Sequence, residues 1–322
     1  MNKYISIIVP SYNSYNTIEK CLISIFKSNY KSFEIIVVDD NSNDDSYKIA
    51  ERFRCKLIRL KERYGPAKAR NVGAERAKGD ILVFLDADCV VSRVWLNKIV
   101  NNFKRYDIGA VAGQYNKAIN NNFIAKFAFY ELLFRERKFK KFVETFPSCN
   151  FACKREIFEK IGGFSDDFRN ASEDLEFSYR LGKVSKVLWD PSISVAHHFR
   201  GTIRAYIKQQ FMSSRDDVYL FTKNPNLILV DTFEDKVNYF EITAMTILVL
   251  FIPLSIIKFT SFFILLLPIL AILLLNISFV KFITNREGIK FSSRAILMIY
   301  LRNFIWLAGI IVGLFNFIFK KW

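Results

Sequence analysis

The sequence predicts an α/β fold, a mostly parallel sheet covered by helices on both faces, followed by an α-helical membrane region. Three observations carry this expectation. Short Ile/Val runs alternate with amphipathic patterns from Ile5 to Leu85, three of those four runs end in polar clusters, and long apolar runs take over from Tyr239 onward. At 322 residues the chain is long enough for one large domain or two ordinary ones, and the shift in composition places a boundary near Asp235.

Taken in order, the predicted elements are a strand at Ile5–Val9, a helix at Tyr15–Lys27, a strand at Glu34–Val38 and a helix at Asp45–Arg52. A strand at Lys56–Leu60, a helix at Ala67–Lys78 and a strand at Ile81–Leu85 follow. In such sheets ligands bind beyond the C-terminal strand ends. The clusters Pro10-Ser11-Tyr12-Asn13, Asp39-Asp40-Asn41-Ser42 and Asp86-Ala87-Asp88 should therefore line one crevice. The rest of this domain is less regular. Its patterns predict a helix around Phe123–Lys140, a strand at Phe146–Ala152, a helix at Glu173–Leu181, short strands at Lys186–Trp189 and Ser192–Ala196, and a polar helix over Thr202–Thr222.

The tail holds three apolar stretches, Ile242–Ile257, Phe262–Val280 and Ala295–Phe319, and so two to three transmembrane helices. The middle one is the clearest span by length. The first carries Pro253 and the third carries Arg302 and Asn303, so either could be re-entrant, interfacial or buried against its neighbours. Lys281, Arg286, Lys290 and Arg294 crowd the loop after the middle stretch, and Lys258 is the only charge in the hairpin before it. The positive-inside rule puts that loop, and with three spans the first domain, on the cytoplasmic side of the cell membrane, although Lys320-Lys321 then falls outside.

A formal charge of +16 and a hydrophobic fraction of 51% fit an anionic membrane surface better than nucleic acid, because the excess apolar content sits in the tail. The five cysteines form no CxxC pair and no zinc-type spacing, as in a reducing compartment, and carry no predicted role. The N-terminal run Ile5–Val9 is too short for a signal-peptide core or a span.

Asp86-Ala87-Asp88 is the strongest single motif. Two carboxylates at i and i+2 on a strand end can hold a hard divalent cation, which in turn binds a diphosphate. A solvated acidic turn is the bland alternative, disfavoured by the strand-end position. Glu173-Asp174 opens a helix, where carboxylates commonly act as caps and dipole partners, yet transfer to a hydroxyl needs a base there. The residues alone leave both readings open.

Six segments, ISIIVPSYN at Ile5–Asn13, EIIVVDDNSNDDS at Glu34–Ser46, GPAKARNVG at Gly65–Gly73, FLDADC at Phe84–Cys89, GGF at Gly162–Phe164 and SEDLEFSYRL at Ser172–Leu181, resemble the family 2 inverting glycosyltransferases of the GT-A fold. The resemblance covers most of the first domain in the family's order. It implies a catalytic domain over 1–235, with a nucleotide-sugar half about 1–115 and an acceptor half about 116–235, and a membrane region over 236–322.

By that resemblance Pro10 and Tyr12 frame the nucleotide pocket, Asp40 reads the base or ribose with Asp39 supporting the loop, and Arg70 and Asn71 stand beside the nucleotide. Asp88 is the principal metal ligand for Mn2+ or Mg2+. Asp86 lies nearer the sugar or ribose and shares the metal, and His197, or its neighbour His198, adds a further metal contact. Asp174 resembles the catalytic base, with Glu173 as its acceptor-side neighbour. Gln209, Gln210 and Arg215 line the acceptor entrance.

The implied partners are a nucleotide-diphospho-sugar donor and a lipid-linked or glycan acceptor of the cell envelope. The region KQQFMSSRDD lacks the Arg-Trp pair of processive polysaccharide synthases, which favours single addition. Other classes fit less well. A non-catalytic, membrane-tethered nucleotide-binding protein would be expected to lose Asp174 or the DxD, and a nucleotidyltransferase would need a glycine-rich phosphate loop where SYNSYN stands.

Overall fold

The computed structural model describes residues 3–168, 171–229, 237–257 and 262–319. All four predicted N-terminal strands and the three helices between them are present: β1 (Ile5–Ser11), α1 (Ile18–Phe26), β2 (Phe33–Asp39), α2 (Ser46–Ala50), β3 (Lys56–Arg59), α3 (Pro66–Glu75) and β4 (Ile81–Leu85). β1 pairs in parallel with both β2 and β4, and β2 pairs in parallel with β3. β1 and β4 are buried along almost their whole length, which is why they read as continuous apolar runs rather than alternating ones.

Beyond β4 come β5 (Cys89–Val91), α4 (Trp95–Arg105), β6 (Ala110–Ala112), β7 (Tyr115–Ala118), α5 (Phe123–Glu136), β8 (Phe142–Val143) and β9 (Asn150–Lys154). Then follow α6 (Arg155–Lys160), α7 (Glu173–Val184), β10 (Val187–Trp189), β11 (Val195–His197) and α8 (Ile203–Lys223). The main sheet runs β3-β2-β1-β4-β9-β6-β10-β8, and a second sheet runs β5-β11-β7. β9 enters antiparallel between β4 and β6.

The strand expected at Phe146–Ala152 begins only at Asn150. Pro147 offers no N–H to a ladder, and Phe146 and Cys149 are buried from a loop instead of a strand. The last short strand starts three residues later than expected and ends one later, at Val195–His197.

The chain divides into two compact units, the first built mainly from Met1–Asn121 and Glu136–Phe199, the second from Asn122–Arg135, Arg200–Asn226 and Glu234–Trp322. The expected boundary residue Asp235 lies outside the described residues, as do Lys258 and Lys320-Lys321. In the first unit an aromatic stack ties the sheet to α7. Phe84 of β4 lies 4.7 Å from Phe151 of β9, Phe151 lies 5.5 Å from Phe177 of α7, and Phe177 stacks at 4.0 Å on Phe164. Each such pair contributes about 0.5–1.5 kcal/mol beyond its area burial, so the strand ending in Asp86 and the helix starting at Glu173 are held to one core. Gly73 lets α3 approach β1 closely, since a Cβ there would stand 2.4 Å from the Ile8 side chain.

The second unit contains α5, α8 and the tail helices α9 (Val237–Ile257), α10 (Phe262–Leu275), α11 (Ile277–Glu287) and α12 (Ile289–Ile318). The middle apolar stretch is not one straight span. It breaks at Asn276, whose side-chain amide donates to the Ile272 carbonyl at 2.9 Å, and the two halves meet at 57°. The third stretch, by contrast, belongs to one continuous helix of 30 residues. Arg302 and Asn303 are buried within this unit, and the guanidinium is paired: Arg302 donates to Glu131 at 2.6 Å and also to Glu241, and the Tyr206 hydroxyl donates to Glu131 at 2.8 Å. Pairing of this kind offsets part of the cost of burying a guanidinium in an apolar helix. Among the described residues α12 alone is long and apolar enough to cross a membrane, and at most two such segments are present if α10 and α11 count as one bent segment, against the two to three expected.

Candidate active site

The loops after β1 and β2 are laced together. The Asn13 N–H donates to the Ser42 hydroxyl at 3.0 Å, and the Asn43 N–H donates to the Asn13 side chain at 2.9 Å. Asn13 and Asn41 both adopt positive φ, a conformation uncommon outside glycine and concentrated at functional turns.

Asp39 and Asp40 are buried. Asp39 accepts from the Ser42 N–H at 3.1 Å. Each oxygen of Asp40 takes one backbone N–H at 2.8 Å, from Tyr64 and from Gly65. Burial pushes the Asp40 carboxyl up, and those two N–H groups oppose the rise. Asp40 thus orders the loop in front of α3, where Gly65 (φ 96°) and Pro66 start the helix. Tyr12, partly exposed, presents its ring to the Arg63 guanidinium at 4.4 Å, while Pro10 lies near the C-terminal end of β1.

Arg70 and Asn71 of α3 are both committed to protein partners. Arg70 is buried and bridges two carboxylates, Asp86 Oδ1 at 2.8 Å and Glu173 Oε1 at 2.9 Å. Asn71 donates to the Phe164 carbonyl at 2.8 Å and accepts from the Phe164 N–H at 2.9 Å, which pins the Gly162–Phe164 turn. Both residues therefore hold the site together from behind.

Ser172, with φ 67°, precedes α7 and delivers Glu173 and Asp174 in its first turn. Asp174 accepts from the Leu175 N–H at 2.9 Å and from the Ser148 N–H. Its carboxyl is nevertheless pushed up to about 7, by burial first and then by the neighbouring Glu173, against the opposing pull of Arg70. Glu173 is tied to Arg70 and Asp174 is not, so the two neighbouring carboxylates sit in different electrostatic surroundings.

Asp88 meets His197 across the second sheet, with Nε2 3.1 Å from Oδ1. The backbone N–H of His198 donates to the Asp88 carbonyl, so of the two histidines it is His197 that brings its ring to the carboxylate. Tyr115 and Phe199 pack on that ring at centroid distances of 5.0 and 4.4 Å. The ligand atoms of Asp88, Cys89 and His197 all lie within 4.8 Å of one another. This oxygen, nitrogen and sulfur set fits a divalent cation by its chemistry. Asp86 is not part of that group, and its Oδ1 is held by Arg70 at 2.8 Å.

Cys89 is the residue the sequence left without a role, and its position directly after Asp88 was the available signal. Gln210 and Arg215 belong to α8 in the second unit. There Gln210 accepts from the Trp306 indole at 2.8 Å, Arg215 pairs with Asp216, and Gln209 accepts from Arg200 at 3.0 Å.

Comparison with known proteins bears on the family and the fold. Residues 6–162 match the family model described as Glycosyl transferase family 2. The glycosyltransferase GlyG of Streptococcus pneumoniae is 32% identical over 36% of this chain and 40% of its own length. The Escherichia coli protein named UDP-Glc:alpha-D-GlcNAc-diphosphoundecaprenol beta-1,3-glucosyltransferase WfaP is 31% identical over 58% of this chain and 68% of its own. The mannosyltransferase PcManGT from Pyrobaculum calidifontis, solved with GDP-Man and Mn2+, aligns over 100% of this chain and 89% of its own with a TM-score of 0.59 at 20% identity, which speaks for the fold. The chain spans about half the length of several of the curated relatives it matches.

Proposed function

Because the chain belongs to glycosyltransferase family 2, we propose that it moves a single sugar from a nucleotide-diphospho-sugar to a lipid-linked or membrane-proximal glycan acceptor, inverting the anomeric carbon. The observation that carries this reading is Asp174: a half-buried carboxyl of raised pKa, beside a glutamate that Arg70 binds to the DxD strand end. Such a group is suited to take a proton from an acceptor hydroxyl near neutral pH.

In the proposed mechanism the loops carrying Pro10, Tyr12, Asp39 and Asp40 receive the nucleotide. Asp174 accepts the acceptor's hydroxyl proton as that oxygen bonds to the anomeric carbon, and the bond from the same carbon to the diphosphate breaks. Arg70 keeps Asp86 and Glu173 in place throughout. A divalent ion, Mn2+ or Mg2+, would be held by Asp88 and His197 and would supply positive charge to the departing nucleoside diphosphate. PcManGT, which shares the fold and was solved with Mn2+ and GDP-Man, supports this choice of ion and donor class.

WfaP, by its name, acts on a diphosphoundecaprenol-linked sugar, which supports a lipid-linked acceptor here. The part of α12 after Arg294 measures about 36 Å at the usual helical rise, enough for a tilted span. We place the basic 281–294 segment and the catalytic domain on the cytoplasmic side by the positive-inside rule. Tethering then raises the effective concentration of a membrane acceptor.

The test is nucleoside diphosphate release by the purified full chain in detergent, with a panel of nucleotide sugars, with and without lipid-linked acceptor, and in Mn2+, Mg2+ or EDTA. The reading expects release from one donor class that requires both acceptor and metal. No release from any donor, or release indifferent to EDTA, would contradict it.

A further inference from the structure

The donor set beside Asp88 contains a sulfur that a hard-ion site has no use for. Cys89 and His197 are directly opposed residues of the antiparallel β5/β11 pair, and opposed residues project their side chains to the same face. The Cys89 Sγ stands 4.0 Å from Asp88 Oδ1, and His197 Nε2 stands 3.1 Å from that same oxygen. Zinc bonds of about 2.0–2.3 Å at tetrahedral angles set ligand atoms roughly 3.3–3.8 Å apart, so the sulfur must move inward and the His197–Asp88 pair must open slightly, within a cluster whose ligand atoms all lie within 4.8 Å of one another.

We propose that Cys89 joins Asp88 and His197 as the third protein ligand for a thiophilic divalent cation such as Zn2+ or Cd2+, which then displaces the harder ion used with the donor. Ligand softness decides which ions engage the sulfur. Mg2+ and Mn2+ prefer oxygen and nitrogen and leave the thiol protonated, whereas Zn2+ and Cd2+ bind thiolate strongly. Ligation forms a metal–sulfur bond and releases the thiol proton to solvent, with no change of oxidation state. Asp88 retains 39% of its side-chain exposure and His197 15%, so ions reach the site from solvent while the sulfur forms its floor. Three protein ligands leave one tetrahedral position open to water or a diphosphate oxygen.

The displacement half of the proposal rests on the reading that Asp88 and His197 hold the working ion. The sulfur ligation does not. Two readouts on the full chain in detergent therefore separate them: the ultraviolet sulfur-to-metal charge-transfer band on Cd2+ addition, and Mn2+ binding by electron paramagnetic resonance. The wild type should show a band that saturates with one Cd2+ and releases bound Mn2+ as it grows. The band should be lost in Cys89→Ser and in His197→Ala, and retained in Cys55→Ser, which removes the half-buried thiol. Cys89→Ala supplies the same comparison should the serine variant fail to fold.

A band that survives in folded Cys89→Ser or Cys89→Ala, or that disappears in Cys55→Ser, would overturn the sulfur assignment. So would Mn2+ binding at Asp88 and His197 with no charge-transfer band on Cd2+ addition. A Cys89-dependent band in a chain that never binds Mn2+ would uphold the sulfur ligation and defeat the displacement together with the placement of the working ion.

Discussion

Replacing Arg70 by methionine should unsettle the first unit in a pH-dependent way. Arg70 is 3% exposed and serves two carboxylates, Glu173 with a side chain 10% exposed and Asp86 with one 29% exposed. Removing one partner of a buried ion pair costs about 3–5 kcal/mol, because the other charge stays buried and uncompensated. Water reaches Asp86, so the lower end, about 3 kcal/mol, is the expected figure. In a unit of this size each kcal/mol moves the melting temperature by about 2–4 °C, for a shift of roughly 6–12 °C.

The pH dependence of that loss has a fixed sign. Arg70 holds the Asp174 pKa down, so its removal raises that pKa further above the ordinary carboxylate value. A group raised in the folded state contributes stability below its unfolded pKa and loses it as pH rises through the folded pKa. The deficit of Arg70→Met should therefore be smaller at about pH 5 than at about pH 8. Thermal unfolding followed by tryptophan fluorescence on the full chain measures both, and Arg70→Lys should recover little, because an ammonium cannot reproduce the two-pronged fork. A loss below about 1 kcal/mol, the size of a surface pair, or a loss that shrinks as pH rises, would refute the reasoning.

Glu173→Gln removes a negative neighbour from Asp174 and should shift the acid limb of the pH–rate profile to lower pH. An unmoved limb would separate the profile from this carboxyl pair. In the second unit, Arg302→Met leaves Glu131 and Glu241 buried without their shared cation and should cost about 3–5 kcal/mol. Unfolding of the detergent-solubilised chain reads that loss, and the double variant with Glu131→Gln should lose less than the two single losses added together; simple additivity would argue against a shared network.

The periodic first half of the domain was legible because its buried parallel strands are continuous Ile/Val runs bounded by turn residues. Phe146–Ala152 misled for a related reason: an apolar run marks burial, and Pro147 moves the strand's start to Asn150 without changing the run's hydrophobicity. Arg70 could be placed on its helix and near the site, but its partner Glu173 lies 103 positions away, a pairing that no local pattern encodes. Asn71, expected beside the nucleotide, also holds the backbone of Phe164, a contact equally remote in sequence. The tail's apolar stretches were visible by composition, whereas the break at Asn276 depends on one side chain returning to the helix backbone, which an averaged hydropathy does not register. Cys89 lay within the most informative motif of the chain, and only its pairing with His197 across β5 and β11 gives it a neighbourhood.

The central claim, that Asp174 is the base of a sugar transfer, is met most directly by turnover and donor affinity measured on one preparation of Asp174→Asn. Asparagine keeps an oxygen for the Leu175 N–H and caps a helix about as well as aspartate, so the fold should lose no more than about 1 kcal/mol. Loss of the base should lower the rate on the order of 10²–10⁴-fold while nucleotide-sugar affinity stays near that of the wild type, because the carboxylate acts on the acceptor. Near-normal turnover in a folded Asp174→Asn chain that still binds donor would contradict the account.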